Sequence, residues 1–585
     1  MRTVTVSARV ALIGIGAGAV LLAGACTNPF GPDPIDYGRR ASLERLRSVD
    51  ATDLSAFAAP EDGSRIEGAL ASTIDPDLPD PIAEARAAFD AMERYEITLE
   101  EARAAVLENN LDLEAALVNP TIAAETVAEE EGRFESVFTL SGSWSETDSP
   151  TATALAGGGT RFQSVTPGLR IPLRTGGTAE ITLPVQRFET DNQFATLNPS
   201  IETDLQFSLS HNLLRGAGRR ATMHAVRIAE SNRQISEAQT KLEVIRQIAA
   251  AERSYWRLYA AQTALEVRYQ QYELARQQLE AARRRNAAGA VAEIEVVRAE
   301  SGLADRIDDI IQAHNLVLTQ QRELKRIVNI PGLDVDTGVN VVPISDPDPV
   351  RYEFDAGDVA RAALDNRMEL LELELRLAQD AAQIAFEKNQ ALPLIAMNYT
   401  YRVNGLGGIA SDALEQLNEN NFEDWSVGLT AEIPLGNEQR KAAVARSVLT
   451  RLQRLSTREA REQSIVQEVH DAIDTIDSGW NRILAGRQSV ILNARALEAE
   501  QRQFNVGRST SNDVLDADAR LAEARLAELQ ALTDYQIAQI DLAFATGTLL
   551  GHARVDWQPL DPRTGSTESE QIRKYRPISG VFTGD

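Results

Sequence analysis

The stretch NVGRSTSNDVLDAD (Asn505 to Asp518) decides the fold of this chain, because the earlier stretch AAGAVAEIEVVRAE (Ala287 to Glu300) repeats its pattern. Each stretch places a glycine, Gly507 or Gly289, between two long runs of helix-forming residues. Glycine lets the backbone reverse where a side chain would be strained. Both stretches are therefore predicted to be helix-to-helix turns, and their recurrence predicts two copies of one structural unit.

Two further pairs of stretches occur in the same order in the two halves. LENNLDLEAAL (107–117) resembles LDNRMELLELE (364–374), and DLQFSLSHNLLRG (204–216) resembles DWSVGLTAEIPLG (424–436). Each half is thus predicted to run as helix, β segment, long helix, glycine turn and long helix. The prolines of VPISDPDPV (342–350) forbid one continuous helix and separate the halves.

The long helical runs carry apolar, small or polar residues at alternating spacings of three and four. The series are Ile248, Ala251, Tyr255, Leu258, Gln262, Leu265, Tyr269 and Tyr272; Leu303, Ile307, Ile310, His314, Val317, Gln321, Leu324 and Val328; Ile465, Val469, Ala472, Ile476, Gly479 and Ile483; and Leu515, Ala519, Ala522, Leu526 and Leu529. This heptad spacing is typical of helices packed side by side at shallow angles. Helical hairpins packed in a coiled-coil-like wall are therefore expected.

The β segments alternate apolar and polar residues over about ten positions, which is the weak signature of an outer-membrane barrel strand. They are RFESVFTLSGSW (133–144), IETDLQFSLSHNLL (201–214), LIAMNYTYRV (394–403) and WSVGLTAEI (425–433). Interfacial girdles would hold Trp144, Tyr399, Tyr401 and Trp425. Lipid does not tolerate open sheet edges, so a chain with so few strands would have to close a barrel with other copies. An ordinary soluble β-domain is the alternative.

The first half holds an extra alternating pair with no equivalent in the second half. VTPGLRIPLR and AEITLPVQRF surround TGGT (Thr175 to Thr178), which predicts a hairpin. The pair would either lengthen one end of the sheet or add strands to it.

The chain begins like an exported protein. Basic Arg2 and Arg9 precede an apolar run, and LLAGAC ends at Cys26, the only cysteine. The run is too short for a typical spanning helix and has the shape of a signal peptide. Cys26 resembles the lipidated residue of a bacterial lipoprotein, where acyl chains anchor the protein. A plain secretory signal with a chance cysteine is the alternative.

Composition excludes several other classes of protein. The 585 residues carry a net charge of −27 without a lysine-rich arm, so nucleic acid is not expected as a partner. One cysteine and five scattered histidines give no metal site. No nucleophile elbow, P-loop or dinucleotide motif is present, so neither an enzyme nor a cofactor is expected.

The duplicated plan, the opening ITLEEARAAVLENN (97–110) and the turn with DVLDA resemble the TolC family of outer-membrane efflux proteins over Met92 to Gly551. The resemblance implies a mainly α fold with membrane β: long α-barrel hairpins, and strands that contribute to one trimeric transmembrane β-barrel. It also implies a homotrimer in the outer membrane that extends into the periplasm. A periplasmic adaptor and an inner-membrane pump would be its partners.

The sequence divides into six predicted parts. They are a signal peptide (1–25), a lipidated tether (26–91), repeat one (92–341), a linker (342–351), repeat two (352–551) and a polar tail (552–585).

The resemblance also implies functional residues at the two helical tips. The family's paired entrance aspartates fall on Asp513 and Asp516, and Glu295 holds the equivalent place in repeat one. The family's latch tyrosine becomes Phe504, and its tip arginine falls on Ser509. Phe504 and Arg508, one residue before Ser509, are therefore the possible latch of the entrance. The residues implied in docking the adaptor are Val506, Gly507, Arg508, Ser509, Thr510 and Gly289.

Two alternatives to this interpretation remain. In the first, the acids at the tips only lie on a solvated helix face, as many acids do in a chain with 86 acidic residues. A lipid-tethered periplasmic coiled-coil scaffold without channel activity explains the heptads and Cys26, but it leaves the paired β segments unexplained.

Overall fold

The computed structural model describes residues 81–151, 157–506 and 508–555 of the chain. The signal peptide, Cys26, most of the tether, Gly507 and the tail beyond Val555 lie outside the described residues. The chain divides into two compact units, Met1–Ala88 and Phe89–Asp585. The first unit is described only from residue 81, where helix α1 begins, and all that follows concerns the second.

The second unit is mainly helical with one large sheet. Its helices are α1 (Pro81–Asp90, which starts in the first unit), α2 (Leu99–Asn109), α3 (Leu111–Gly132), α4 (Arg219–Thr222), α5 (His224–Ala287), α6 (Glu293–Val328), α7 (Ala356–Asn366), α8 (Met368–Gln390), α9 (Ala410–Glu419), α10 (Glu438–Asn505), α11 (Ser511–Ala545) and α12 (Leu549–His552). Its strands are β1 (Arg94–Ile97), β2 (Val137–Asp148), β3 (Gly159–Leu173), β4 (Gly177–Thr182), β5 (Val185–Thr190), β6 (Ser200–Asn212), β7 (Asn340–Pro343), β8 (Leu394–Gly407) and β9 (Glu423–Glu432).

The two longest helices, α5 and α10, have 64 and 68 residues. At 1.5 Å per residue each extends about 100 Å. Helix α5 packs against α6, and α10 packs against α11, so each half ends in a long helical hairpin. The predicted stripe on α5 is largely buried, with Ile248, Tyr255 and Leu258 fully so.

The predicted stripe on α11 is shifted from the buried one. Of the predicted stripe, Ala522 is buried, but Leu515, Leu526 and Leu529 are only half-buried, whereas Val514, Leu521 and Tyr535 are buried. The buried positions also include Ala517, Ala524 and Ala531, and glycines of α10 face this stripe. A Cβ on Gly479 would lie 3.1 Å from a ring carbon of Tyr535. Small residues let the two helices approach closely, so the large leucines were misleading markers of the interface.

Strands β1 and β7 form a short parallel pair that is separate from the large sheet. Strand β1 pairs with β7, which brings the start of repeat one against the predicted linker. The Tyr255 hydroxyl donates to the carbonyl of Ile97 over 3.1 Å and accepts from the N–H of Ser345 over 2.8 Å. The linker is therefore packed onto helix α5 through a fully buried tyrosine.

The large sheet has the order β2, β3, β4, β6, β8, β9, and β5 also pairs with β3 and β6. Every neighbouring pair is antiparallel. Strands β3 and β4 are the predicted extra hairpin, and they lie inside the sheet between β2 and β6. The extra pair therefore adds strands to the sheet.

The sheet has one apolar and one polar face. Alternate side chains of each strand point to opposite faces. Exposed apolar side chains include Phe138 and Trp144 on β2, and Trp425 and Leu429 on β9. Trp144 and Trp425 are 73% and 70% exposed, which leaves a wide uncovered apolar band on this unit.

No helix among the described residues combines the length and the apolar character that a membrane crossing requires.

Candidate functional site

The two helical tips lie at the ends of α5 and α10 that are remote from the sheet along the chain. At the first tip, Gly289 has a φ of +71°, a conformation that favours glycine. Helix α6 then begins at Glu293. At the second tip, α10 ends at Asn505 and α11 begins at Ser511. Gly507, the predicted centre of this tip, lies outside the described residues.

A capping box starts helix α11. The Thr510 hydroxyl accepts from the N–H of Asp513, and the Asp513 carboxylate accepts from the N–H of Thr510 over 2.8 Å. This reciprocal pair satisfies backbone donors that a helix start leaves free. Asp513 therefore holds the tip in shape, a role that its expected place in an acidic entrance does not include.

The surroundings of Asp513 favour its charged form. Hydrogen bonds from the hydroxyl and the N–H of Thr510, and from the hydroxyl of Ser509, lower the pKa of the Asp513 carboxyl below its ordinary value. Donors aimed at a carboxylate stabilise its ionised state. The Ser509 hydroxyl lies 2.9 Å from a carboxylate oxygen of Glu500 and 3.1 Å from one of Asp513, so it is within hydrogen-bond distance of both acids.

The other two predicted acids differ in their neighbours. Asp516 is exposed and accepts from the Asn512 amide over 3.3 Å. Glu295 is paired with Arg298 of its own helix at 2.7 Å. Because an adjacent cation offsets its charge, Glu295 contributes less net negative potential than Asp513 and Asp516.

Phe504 contacts a residue of the other hairpin. The Arg285 guanidinium of α5 lies over the Phe504 ring of α10, 4.0 Å from its centroid. Phe504 is 9% exposed, so the contact is largely shielded from water. A cation over an aromatic face is attracted to the ring, and shielding strengthens the attraction.

The remaining predicted tip residues lie on the surface. Val506 is 69% exposed, Arg508 and Thr510 are exposed, and Ser509 is half-buried. Nothing within 4 Å faces the position of a Cβ on Gly289. In a single chain these residues are accessible to a partner protein. Their role in docking the adaptor stays a prediction.

Sequence reasoning missed the arginines of the first tip. The run Arg283 to Arg285 lies one residue before AAGAV (287–291), separated from it by Asn286. Arg283 pairs with Glu300 at 2.8 Å, while Arg285 reaches Phe504. The run of three basic residues at the end of a helix was the available signal. The first tip thus carries a run of basic residues that the second tip lacks.

Asp518 is a second residue that was missed. It is half-buried on α11, and its burial raises the pKa of its carboxyl to about 6, against the opposing influence of Arg306 and Arg525. Three polar contacts join α11 to α5 on either side of this acid, namely Ser511 with Gln278, Arg525 with Gln270, and Asp541 with Arg253.

We expect Asp518→Asn to stabilise the protein at pH 8 and to leave its stability nearly unchanged at pH 4. A carboxyl whose folded pKa is raised binds its proton more tightly in the folded state, so its ionisation costs stability as the pH rises from about 4 through about 6. A shift of this size, halved for partial exposure, is roughly 1.5 kcal/mol per chain. Thermal melting followed by circular dichroism measures the change. Equal gains at both pH values would contradict this assignment.

Among residues 81–151, 157–506 and 508–555, no group of three histidine, cysteine or acidic side chains could hold a metal ion.

Comparisons with known proteins agree with this architecture. The family described as Outer membrane efflux protein matches residues 359–548, which cover α10, α11 and the second-half strands. The outer membrane protein TolC of Vibrio cholerae is 25% identical over 309 residues, covering 52% of this chain and 68% of that protein. TolC of Escherichia coli is 29% identical over 188 residues, covering 30% of this chain and 37% of that protein.

Solved structures share the fold at low sequence identity. The outer membrane channel CmeC of Campylobacter jejuni has a TM-score of 0.57 at 15% identity, covering 81% of this chain and 88% of that one. The MtrE outer membrane channel of Neisseria gonorrhoeae, in its open state, has a TM-score of 0.55 at 15% identity, covering 77% and 89%. CusC, described as forming a transmembrane channel, has a TM-score of 0.58 at 15% identity, covering 77% and 92%.

Proposed function

Because this chain is a member of the TolC family of outer membrane efflux proteins, we propose that it is the exit duct of a tripartite efflux or type I secretion system. The protein is located in the outer membrane and extends into the periplasm. Substrates would pass from an inner-membrane pump along the helical hairpins and leave through the sheet region. A periplasmic adaptor would join pump and duct at the helical tips.

The observation that carries this proposal is the sheet with an apolar face, a polar face and two open edges. Among the described strands, β2 and β9 each pair on one side only. An apolar face suits lipid, but unpaired backbone groups are not tolerated there. Pairing β9 of one copy with β2 of the next removes both edges, and three copies around one axis would close a barrel.

The helical part supports the same assembly. Exposed leucines and isoleucines lie along α10 and α6, among them Leu449 at 64%, Ile311 at 58% and Leu484 at 54%. A single chain leaves these apolar side chains in water, while neighbouring copies would cover them. The tunnel wall would thus consist of α5, α6, α10 and α11 from each of three copies.

At the tips, we assign Asp513 and Asp516 to an acidic ring and Phe504 with Arg285 to the latch that keeps the entrance narrow. The Arg285–Phe504 contact joins the two hairpins of one chain, so opening the entrance by moving one hairpin away from the other would break it. Val506, Arg508, Ser509, Thr510 and Gly289 are the proposed adaptor surface, together with Gly507.

The lipid-tethered scaffold without channel activity gains no support from the sheet. Such a scaffold needs no sheet with an uncovered apolar face, whereas a membrane duct does. A lipid anchor at Cys26 is compatible with both functions and is kept as part of the proposal.

We expect the purified full chain in detergent to have the mass of a trimer. A variant with Ser143→Cys on β2 and Ser426→Cys on β9 is expected to give cross-linked dimers and trimers. Ser141→Cys and Ser145→Cys are alternative β2 sites, because the single chain does not fix which residues of β2 and β9 pair between copies. Either substitution alone supplies the matched control. A clean monomer by mass measurement would exclude the shared barrel.

A further inference from the structure

We propose that the extra hairpin of β3 and β4 is part of the membrane wall, so that each copy supplies six strand positions and the trimer closes a barrel of 18. Strand β5 pairs with the same neighbours as β4, farther along β3 and β6, so β4 and β5 together occupy one position. This inference rests on the proposed function, because it presumes three copies around one axis. Without the hairpin, each copy would supply only the matched strands β2, β6, β8 and β9, and the barrel would have 12.

The register of the sheet places the hairpin in one continuous apolar row. Directly paired residues run across all six strands, and each of them is apolar or aromatic: Trp425, Tyr401, Phe207, Ile181, Leu169 and Phe138. Ile181 and Leu169 belong to the hairpin and stand in line with residues of both repeats. A hairpin that left the wall would interrupt this row.

The opposite face is polar across the hairpin as well. The neighbouring row contains Ser426, Thr400, Ser208, Glu180 and Arg170, and it ends on β2 at the apolar Val137. Glu180 and Arg170 face each other at 3.6 Å. Polar side chains of the hairpin thus line the same face as those of β6, β8 and β9, as lumen-facing residues would.

The ends of the hairpin are fixed at the ends of the sheet. At the helix end, the N–H of Gly218 donates to the carbonyl of Thr175 over 2.8 Å, and the N–H of Asn212 donates to Gly176 over 3.1 Å. Gly176 has a φ of +102°, and a Cβ there would lie 2.2 Å from the carbonyl oxygen of Gly216. The turn is therefore packed against the junction between β6 and α4.

At the other end, charges mark the limit of the apolar band. Arg161 of β3 pairs with Glu146 of β2 at 2.9 Å and with Glu189 of β5 at 3.0 Å. These cross-strand pairs lie on the apolar face, two residues beyond Trp144. An aromatic residue followed by charges is typical of a membrane interface. The hairpin reaches this level together with β2.

Six strands also permit closure. Successive strands alternate in direction, so an even number leaves β9 and β2 running oppositely. In copies related by rotation about the barrel axis, β9 of one copy would then pair with β2 of the next in antiparallel fashion. Each open edge of the sheet is therefore covered by a second copy of this chain. With strands about 4.8 Å apart and tilted about 40°, 18 strands give a backbone diameter of about 36 Å, against about 24 Å for 12.

The wider barrel changes where the duct is narrowest. At that diameter the barrel resembles the 16- to 18-strand class, which leaves an open aqueous channel. The size limit for cargo would then lie at the helical tips.

Spin labels at single cysteines test the inference in the full-chain trimer in lipid nanodiscs. On β4, Ile181→Cys is expected to be accessible to oxygen from the lipid, and Glu180→Cys to a water-soluble nickel reagent. On β8, Met397→Cys and Thr400→Cys are the matched lipid-facing and lumen-facing controls. The unsubstituted chain, whose only cysteine is Cys26, gives the labelling background.

Double electron–electron resonance on the Thr400→Cys trimer measures the size of the barrel. Equivalent backbone positions in three copies are expected to lie about 31 Å apart in a barrel of 18 strands and about 21 Å apart in a barrel of 12. Alternation on β8 without alternation on β4, or the shorter distance, would overturn the six-strand wall and leave the duct intact. Loss of alternation on both strands would overturn the proposed function itself.

Discussion

Arg285→Ala is expected to shift the channel strongly toward its open state. The substitution removes the guanidinium that covers the Phe504 ring at 4.0 Å and so breaks the proposed contact between the two hairpins of each chain. A shielded cation–π pair contributes about 1 kcal/mol. Three copies opening together would lose about 3 kcal/mol, which changes the ratio of open to closed channels on the order of 100-fold. Single-channel recording of the purified trimer in planar bilayers measures this ratio.

The neighbouring arginine supplies the control for charge. Arg284 is exposed, and Arg284→Ala removes the same charge from the same tip without touching Phe504. Arg285→Lys keeps the charge but loses the planar stacking group, so an intermediate effect is expected. Phe504→Leu keeps an apolar side chain and removes the ring. Additive effects of Arg285→Ala and Phe504→Leu in the double variant would show that the pair is not a latch.

The order of helices and strands along the chain could be predicted from the sequence. Periodicity located the long helices, because a buried stripe must recur at spacings of three and four wherever a helix packs along its length. Periodicity was a weaker guide to the buried side of α11, because Ala517, Ala524 and Ala531 form that side. A close helix interface selects small residues, and a pattern judged by large apolar residues follows the wrong stripe.

The sheet was predictable strand by strand but not as a whole. Alternation marks a strand with two different faces, yet it carries no information about which strand lies beside which. The placement of the hairpin between β2 and β6 depends on pairings such as Ile181 with Phe207 and Leu169 with Ile181, which are contacts between distant segments.

At the helical tips, too, local features could be predicted from the sequence, but a contact between distant segments could not. The glycine turns and the acids Asp513 and Asp516 follow from local sequence and from the family resemblance. The partner of Phe504 does not, because Arg285 is 219 residues earlier in the chain and belongs to the other hairpin. The cap formed by Thr510 and Asp513 was visible in the sequence as a threonine followed three residues later by an acid.

Replacing Asp513 and Asp516 together by asparagine is expected to weaken block of the channel by multivalent cations at least tenfold. The trimer would lose six carboxylates from a narrow ring, and such rings attract cations more strongly than dispersed charges do. Asparagine is chosen over alanine because its carbonyl oxygen can still accept from the N–H of Thr510 and preserve the cap of α11. Loss of that cap alone costs about 1 kcal/mol and would distort the tip. Titration of the single-channel current with a trivalent cation gives the block constant.

Two further variants, Glu459→Gln and Glu295→Gln, distinguish the effect of the acidic ring from that of other negative charges on the chain. Glu459 is an exposed acid of α10, 45 residues before Phe504 and so about 70 Å from the tip, and Glu459→Gln should leave the block unchanged. Glu295→Gln should have a small effect, because Arg298 already offsets that carboxylate at 2.7 Å. The hydrogen bonds that lower the pKa of Asp513 keep it ionised in mild acid, so block of the unsubstituted channel should persist there. If Glu459→Gln weakened the block as much as the double substitution, the cation site would be the general negative field of the chain, and no acidic ring at the tip would be needed.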